Sequence, residues 1–573
     1  MSSQTEQTTS TFHLVEQLFQ NHLTKLRQSD AIPDGHPISK NPADDGLRLR
    51  VKDVVGIDLP PAPITSVLVD AYLQANHWYL ALFHEQSFRA RLAPIIRTGR
   101  ISASEKPFLM LILIVLMIGA RFVCPESIGP HDALFDSALY SSQLLEAVEK
   151  HLFIALHDVT LESVSCALLM SITYLLERKT KLAFIMTGIG VRVAQAIGLQ
   201  DETTWEPLDH IELQVRRRVW WSIYMADMYT AQAYGKPSVF AGSRFQVFEP
   251  DDLDDTLIAC PGMGSFEVRE DGTFSRVTIF SYNRYKSPLY SIMSLNTQRM
   301  RLQQINSVYA RLLEWEKTLP RELRLDSFSS TENEVHQHGA LRIFALQAIT
   351  LQLTYDYNHL LLFRPFLLNK KHLSIQLHPH PAEAQNSISI TVRDQLSVSA
   401  IRMSKVYDWR TILVLASRTT CAAQVCFQLF TAGVVLAMLA LSDLSSPQLV
   451  EYKQALARLI NILPLIGGGT PLSNQSVEIL TDAMHIISSQ EVKALISNAT
   501  NDFRTDRSSP AVAGASRVQA TQANMQSSTL DSASQSEVMD DTDMWEDLAL
   551  FPDDHEVDIA GSESFYQSLA LLF

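Results

Sequence analysis

Cysteine is scarce in this chain of 573 residues. There are five, Cys124, Cys166, Cys260, Cys421 and Cys426, and none precedes residue 124. No two are spaced Cys-x-x-Cys, and most lie in apolar stretches of helical character. They read as reduced thiols buried as small hydrophobic groups, so neither a disulfide framework nor a structural zinc is expected, and no cofactor is expected in the chain. Charge is also thin, at 19% against 46% hydrophobic residues, which is the composition of a globular interior with a sizeable core. Positive charge is in deficit. The net charge is −15; residues 501–573 hold fourteen acids and three bases and so carry −11 of it, leaving −4 on the first 500. A body so close to neutral has no bulk basic face with which to neutralise phosphates. Catalytic signatures are missing too. Gly-x-Ser-x-Gly, the P-loop and His-Glu-x-x-His do not occur, and the short Gly-x-Gly matches at Gly188 and Gly190 and at Gly262 and Gly264 follow no strand. Residues 1–10 are rich in Ser, Thr and Gln and lack the apolar stretch of a secretory signal. The longest apolar run, Phe108–Ala120, is too short to span a bilayer and fits a buried core helix. The expectation is an intracellular protein without a membrane partner.

What is present is helical periodicity. A short amphipathic helix is predicted around Phe12–Leu26, and the Pro/Gly/Asp-rich stretch 30–63 reads as a linker. Apolar residues then recur at helical spacing through Val67–Phe83, Pro107–Phe122, Leu134–His151, Leu161–Leu176, Ala183–Ile197 and Glu212–Tyr234. The pattern continues through Ser294–Thr318, Gly339–Leu362, Val398–Val406, Arg418–Ala440, Gln448–Leu463 and Gln475–Ala494. Long loops are predicted at 236–275, 326–336 and 370–392, and Val277–Phe280 is the best strand-like stretch. The Gly467–Gly469 triplet is predicted to end a helix. From about Thr500 the composition turns to Ser, Ala and Gln, a flexible spacer. The organisation expected is all-α: an N-terminal segment and linker (1–63), one large multi-helix regulatory domain (64–499), a spacer (500–536) and an acidic, disordered C-terminal tail (537–573).

Three clusters invite a chemical reading. Asp251–Asp255 matches Asp-Asp-x-x-Asp, whose carboxylates could bridge magnesium ions to a diphosphate. Pro250 and a loop-like composition surround it, and no second metal motif is found, so an acidic surface loop is the favoured reading and a helical diphosphate-using enzyme the alternative. His378 and His380 alternate with prolines and read as solvated side chains rather than metal ligands. Arg216, Arg217 and Arg218 run directly into Val219, Trp220 and Trp221 on one predicted helix. A nucleic-acid or import contact is conceivable for such a triplet; the favoured reading puts the tryptophan face in the core and pairs the arginines with acids.

The tail is the most distinctive segment. Glu537 to Asp558 contains ten Asp or Glu and no Lys or Arg, with Met544, Trp545, Leu548, Leu550 and Phe551 set among them, and Phe565, Leu569 and Leu572 follow. Acids keep such a chain solvated and extended, leaving its aromatics available to dock as a short helix in a coactivator groove. Met544, Leu548 and Phe551 stand at i, i+4, i+7, and so do Phe565, Leu569 and Leu572. This is the composition of a transcriptional activation segment; the competing reading is a solubilising tail.

Arg216–Phe240, with its Arg-Arg-Arg-Val-Trp-Trp start, Asp227 and Gly235-Lys236-Pro237, resembles the fungal transcription-factor domain, the middle homology region of fungal zinc binuclear-cluster regulators. Gly190–Asp201, His77–Phe88 and Tyr357–Leu367, the last containing Arg364-Pro365-Phe366, resemble three further segments of that family in the same order, so the likeness covers about 64–440. Lys236 and Met228 depart mildly from its pattern. The resemblance implies an all-helical regulatory domain in a nuclear transcription regulator of metabolic or secondary-metabolite genes, with a small-molecule effector among its expected partners, and not an enzyme. The family's DNA-binding module needs six cysteines, and residues 1–123 contain none. The expectations that follow are an activator or coregulator that reaches DNA indirectly, through a DNA-binding zinc-cluster regulator, and contacts a coactivator through its tail; or else a zinc-cluster factor whose upstream exon is missing from this sequence.

Overall fold

The computed structural model describes residues 48–505, apart from 130–133, 178, 235–237, 241–244, 252–266, 269–273, 276–281, 293–301, 329–338, 369–371, 378–389 and 468–469. The Phe12–Leu26 helix, Gly235, Pro237, Asp252–Asp255, Val277–Phe280, His378, His380 and the whole activation segment therefore lie outside the described residues.

The chain is all-α, as its periodicity predicts. A short strand β1 (Arg48–Arg50) leads into α1 (Val51–Val55), α2 (Ala62–Tyr72), a π-turn at Leu73–His77, α3 (Glu85–Thr98) and β2 (Arg100–Ser102). β2 pairs antiparallel with β1, Leu49 opposite Ile101. Then come α4 (Lys106–Phe122), α5 (Pro125–Ile128), α6 (Ser137–His157), α7 (Leu161–Leu176), α8 (Thr180–Ala196) and α9 (His210–Tyr234). The second half holds α10 (Tyr282–Ile292), α11 (Leu302–Thr318), α12 (Gly339–Phe363), α13 (Val392–Ser404), α14 (Arg410–Ser417), α15 (Ala422–Ser442), α16 (Leu449–Gly467) and α17 (Pro471–Thr505).

Among the described helices, α4 and α15 are apolar along most of their length, and others pack over them. In α4 every residue from Pro107 to Ala120 is buried, with α2, α6 and α7 packed around it. In α15 the cover comes from α12, α13, α16 and α17. By length and composition Ala103–Phe122 and Ala422–Ser442 could each cross a membrane, but 78% and 72% of their apolar windows are buried inside the protein, which supplies the surroundings such helices need. Each Leu, Ile or Phe so enclosed contributes about 1.5–3 kcal/mol relative to exposure. Of the described cysteines, Cys166, Cys421 and Cys426 are buried as expected, while Cys124 is exposed.

Side-chain caps fix where several helices begin. Asp136 accepts from the Leu139 amide at 3.0 Å ahead of α6. Thr160 with Ser163, and Thr391 with Asp394, form reciprocal capping boxes at α7 and α13. Two glycines permit close packing. A Cβ on Gly119 of α4 would land on the Leu68 carbonyl oxygen of α2. A Cβ on Gly190 of α8 would come within 2.9 Å of Ile223 Cδ1 and 3.3 Å of Ala167 Cβ, so this Gly-x-Gly match lets α7, α8 and α9 approach one another.

The structure corrects several boundaries. The linker expected at 30–63 is overextended, since Val51 and Val55 are built into the core and β1 pairs with β2; Pro60 and Pro61 mark the real break before α2. α17 runs to Thr505, past the expected spacer boundary at 500. The sequence pattern gives no helix at α3, α10 or α14, yet all three form. α3 and α10 contain Pro94 and Pro288, which read as breakers in isolation; tertiary packing on Phe88, Leu92, Ile95 and Leu289 overrides them. Gly467 closes α16 as expected.

Gly119→Ala should cost about 3 kcal/mol or more, because a backbone oxygen rather than a flexible side chain must move. Urea denaturation should show a lowered midpoint with little change in slope; an unaltered midpoint would mean that α2 and α4 can separate freely.

Candidate functional site

The arginine–tryptophan segment occupies the middle of α9 and is held by the chain that crosses it. Trp220 is fully buried and Trp221 is 8% exposed. Trp220 meets Phe240 and Phe245 with ring centroids 5.0 and 5.4 Å apart, and Tyr224 meets Phe245 at 5.1 Å. Trp221 donates its indole N–H to the Phe248 carbonyl at 3.0 Å. Asp227, one turn and a half further on, accepts through Oδ2 from Ser238 Oγ (2.6 Å), the Val239 amide (3.0 Å) and the Phe240 amide (3.4 Å). Burial pushes the Asp227 carboxyl up against these three bonds, which favour the ionised form. The aspartate thus ties the chain after residue 237 back to α9, and that chain returns Phe240 and Phe245 to the tryptophans.

Arg216 and Arg217 pair with acids, as the favoured sequence reading expects. Arg216 bonds Glu212 one turn back on α9 at 3.1 Å. Arg217, with a side chain 11% exposed, takes Glu202 through both Nε (3.0 Å) and Nη2 (2.5 Å) and reaches Asp251 at 3.4 Å. Glu202 also accepts from the Phe248 amide at 3.1 Å. Its burial works to raise its pKa, but the Arg217 and Phe248 bonds outweigh this and leave it below the usual carboxylate range. Arg218 is buried. Asp251 is held on α9 as well, with Gln214 Nε2 donating to Oδ2 at 2.6 Å and the Asp251 amide donating to Gln214 Oε1 at 2.8 Å. The first carboxylate of the Asp-Asp-x-x-Asp match is therefore an ion-pair partner of Arg217. Arg364 and Pro365 do not join this cluster: α12 ends at Phe363, and a 3-10 turn at Arg364–Leu368 follows against α15, with Phe366 buried.

A second polar centre lies in the other half and is not signalled by any motif. Asp356 of α12 is fully buried and accepts from Arg402 Nε of α13 at 2.7 Å and from Gln352 Nε2 at 2.9 Å. Arg402 also reaches Glu316 at 3.3 Å, and the Tyr355 hydroxyl donates to Glu316 at 2.9 Å. Burial raises Asp356 to about 6 even with Arg402 opposing it. One turn along α12, His359 is fully buried between the edges of Tyr309 and Tyr355. Neither of its ring nitrogens has a hydrogen-bond partner among the described residues. Burial, with the Arg402 charge adding to it, pushes His359 down to about 3. Between α7, α9, α10 and α15 a small polar-edged cavity contains the buried Lys286.

Comparison with known proteins places this architecture. Residues 69–335 match the fungal specific transcription factor domain, a span that includes α9 and its strap and stops short of Arg364. An uncharacterized transcriptional regulatory protein of Schizosaccharomyces pombe is 25% identical over 54% of this chain and 37% of its own length. Transcriptional activator protein acu-15 of Neurospora crassa is 23% identical over 42% of this chain and 25% of its own length. Activator of stress genes 1 of Saccharomyces cerevisiae is 22% identical over 58% of this chain and 35% of its own length. The chain thus spans between a quarter and two fifths of the length of these relatives.

Two consequences can be measured. Trp220→Ala should cost about 3–5 kcal/mol, since an entire buried indole and its two aromatic partners lose contact; a urea midpoint equal to that of the unaltered protein would show that the motif is not a core element. His359 has a folded pKa near 3 against about 6.5 unfolded, so its contribution is complete above pH 6.5 and is lost as the pH falls, at about 1.4 kcal/mol per unit. Asp356, raised to about 6, works in the opposite sense and favours folding at the acid end. Replacing His359 with Phe should therefore flatten the fall in stability between pH 6.5 and 4 relative to the unaltered protein; identical pH profiles would contradict this.

Proposed function

We propose that this chain, which carries a fungal specific transcription factor domain over residues 69–335, is a nuclear transcriptional regulator. In it the helical domain licenses or restrains an acidic-hydrophobic activation segment at 537–573. The match to the family, together with relatives named as transcriptional regulators and activators, carries this reading. The geometry of α9 supports it from the other side. Arg216 and Arg217, which could have served as a basic contact surface, pair with Glu212, Glu202 and Asp251, and Arg218 is buried, so the segment organises the domain instead of touching phosphate. The diphosphate-enzyme reading is disfavoured by the same bonds, because Asp251 is committed to Arg217 and Gln214.

Within this reading the tail does the activating and the promoter is reached through a zinc cluster outside these 573 residues, which hold five cysteines where such a cluster needs six. That cluster is carried by a partner regulator or upstream in the same polypeptide. The tail contacts a coactivator through Trp545, Leu548 and Phe551, while the ten acids of 537–558 supply solvation and long-range attraction. The genes governed belong to metabolism or secondary metabolism.

Residues 537–573 fused to an unrelated DNA-binding domain should activate a reporter. Changing Trp545, Leu548 and Phe551 together to Ala should bring it close to background with every acid still in place. A silent fusion, or full activity in the triple variant, would reduce the tail to a solubilising role.

A further inference from the structure

Lys286 is 3% exposed, on α10 between Tyr282 and Tyr290, which stand four residues to either side on the same helical face. Its ammonium lies 3.7 Å from the centroid of the Tyr79 ring and 5.1 Å from that of Tyr282. Among the described residues no carboxylate pairs with it, and the ionisable side chain it senses most is the Cys421 thiol. A buried ammonium held against aromatic faces gains some cation–π attraction. That is a weak substitute for the partner that buried charges ordinarily have.

The space beside it is of a particular kind. A cavity of about 60 Å³ is bounded by Lys286, Tyr79, Tyr290, Gln424, Ser222 and Thr420 on its polar side and by Leu80, Leu168, Leu175 and Met225 on its apolar side. Lys286 is the one charged residue in that lining. The neighbouring amide is already satisfied: Gln424 accepts from the Tyr79 hydroxyl and donates to the Tyr290 hydroxyl (3.0 Å) and to Thr354 Oγ1 (3.2 Å). Thr420 donates to Asn76 Oδ1 at 2.7 Å. The charge facing the cavity without an opposite charge beside it, among the described residues, is thus a cation. Half-buried Ile172, Leu175, Ala226 and Tyr229 rim the space, so a solute can reach it without unfolding the domain. The volume holds about four or five water-sized spheres, which is the scale of an anion with a short hydrocarbon end.

We propose that this cavity binds a two- to four-carbon monocarboxylate, its carboxylate paired with the Lys286 ammonium and its alkyl end against Leu80, Leu168 and Leu175. The polar end and the apolar wall together favour this class over an inorganic anion, which would leave the leucines facing a hydrated ion. The site joins segments from both halves of the molecule, α7 and α9 on one side and α10 and α15 on the other, so occupancy would bias how they pack. Any regulatory meaning rests on the transcriptional reading above; binding itself does not. A failed titration would leave the reporter result standing, and an inert tail would leave the titration standing.

Binding should take up a proton above neutrality. Burial pushes the empty-site Lys286 down to about 7, and a carboxylate partner favours its charged form. The groups around it do not titrate in this range: burial raises Cys421 to about 11, pushes Tyr79 up from its usual value, and does the same to Tyr282 and Tyr290 on α10 itself. The experiment is calorimetric titration of the purified full chain with propionate, in two buffers of different ionisation enthalpy, alongside thermal melting. One site per chain is expected, with a raised melting temperature, an affinity that falls about fivefold from pH 7 to pH 8, and proton uptake at the higher pH. Lys286→Met should abolish the binding. Ala226→Leu, which narrows the mouth and leaves the ammonium in place, should weaken it strongly while the far-UV circular dichroism stays unchanged, and this variant decides the matter if Lys286→Met does not fold. Propionamide should not compete. The proposal is overturned by absence of binding at millimolar propionate, by binding that survives both variants, by binding without proton uptake, or by chloride or phosphate competing as well as propionate.

Discussion

Two helices that are apolar along most of their length set the terms for everything else in this protein. α4 and α15 must be covered over most of their surface, and the helices packed against them must supply an apolar face. That requirement places α2, α6 and α7 around α4 and α12, α13, α16 and α17 around α15. It also explains the glycines: Gly119 lets the Leu68 backbone of α2 rest against α4, and a larger residue would hold the two apart. The same constraint divides the molecule into two centres, with contacts between α7 and α15 and between α9 and α10 joining them.

α9 lies where that division is bridged, and its charges show how polar groups are admitted to such an interior. The Glu202–Arg217–Asp251 group is low in exposure on the arginine, doubly bonded to Glu202, and sealed by the Phe248 main chain. An ion pair so placed contributes less through Coulomb attraction than through what its loss would leave behind, an uncompensated charge in the core. Its value is positional. It fixes the turn at 202 and the chain at 248–251 to one helix, and the Asp227 bonds fix 238–240 to the same helix. The pattern of arginines, tryptophans and a following aspartate is thus a description of one crossing chain and its fastenings to α9.

Much of this was legible in the sequence because it depends on periodicity or on adjacency. The apolar run 108–120 reads as a buried helix, and it is one. Arginines next to tryptophans on one predicted helix imply a face in the core and acids at the edge, and Glu212, Glu202 and Asp251 are those acids, though only Glu212, at i−4, could have been named in advance. What was not legible depends on distance along the chain. Gln424 lies 345 residues from Tyr79 and 134 from Tyr290, and no local pattern announces that pairing. No helix was expected at α3 or α10, which contain Pro94 and Pro288 and continue because packing outweighs the lost backbone bond. The run around 30–63 misled in the opposite direction, its loop-forming composition hiding Val51 and Val55, which enter the core.

The groups that escaped the sequence reading share one property: each is a buried titratable side chain incompletely balanced by its surroundings. Asp356 has Arg402, but burial still raises it; His359 has no hydrogen-bond partner at either nitrogen among the described residues; Lys286 has aromatic rings where a carboxylate would be expected. All three belong to α10 and α12, which flank α15, while in the first half the comparable charge, Arg217, is fully matched. Sequences whose local and global preferences agree everywhere give the most stable folds, and departures concentrate where a protein does something besides fold. The polar cost in this molecule is therefore distributed unevenly, with the first half spending its charges on fastening the strap and the second half holding charges that are not yet matched. A solute that matched one of them would change the stability of the second half more than that of the first. Binding in the interior of such a molecule would be felt as a change in packing on one side of it.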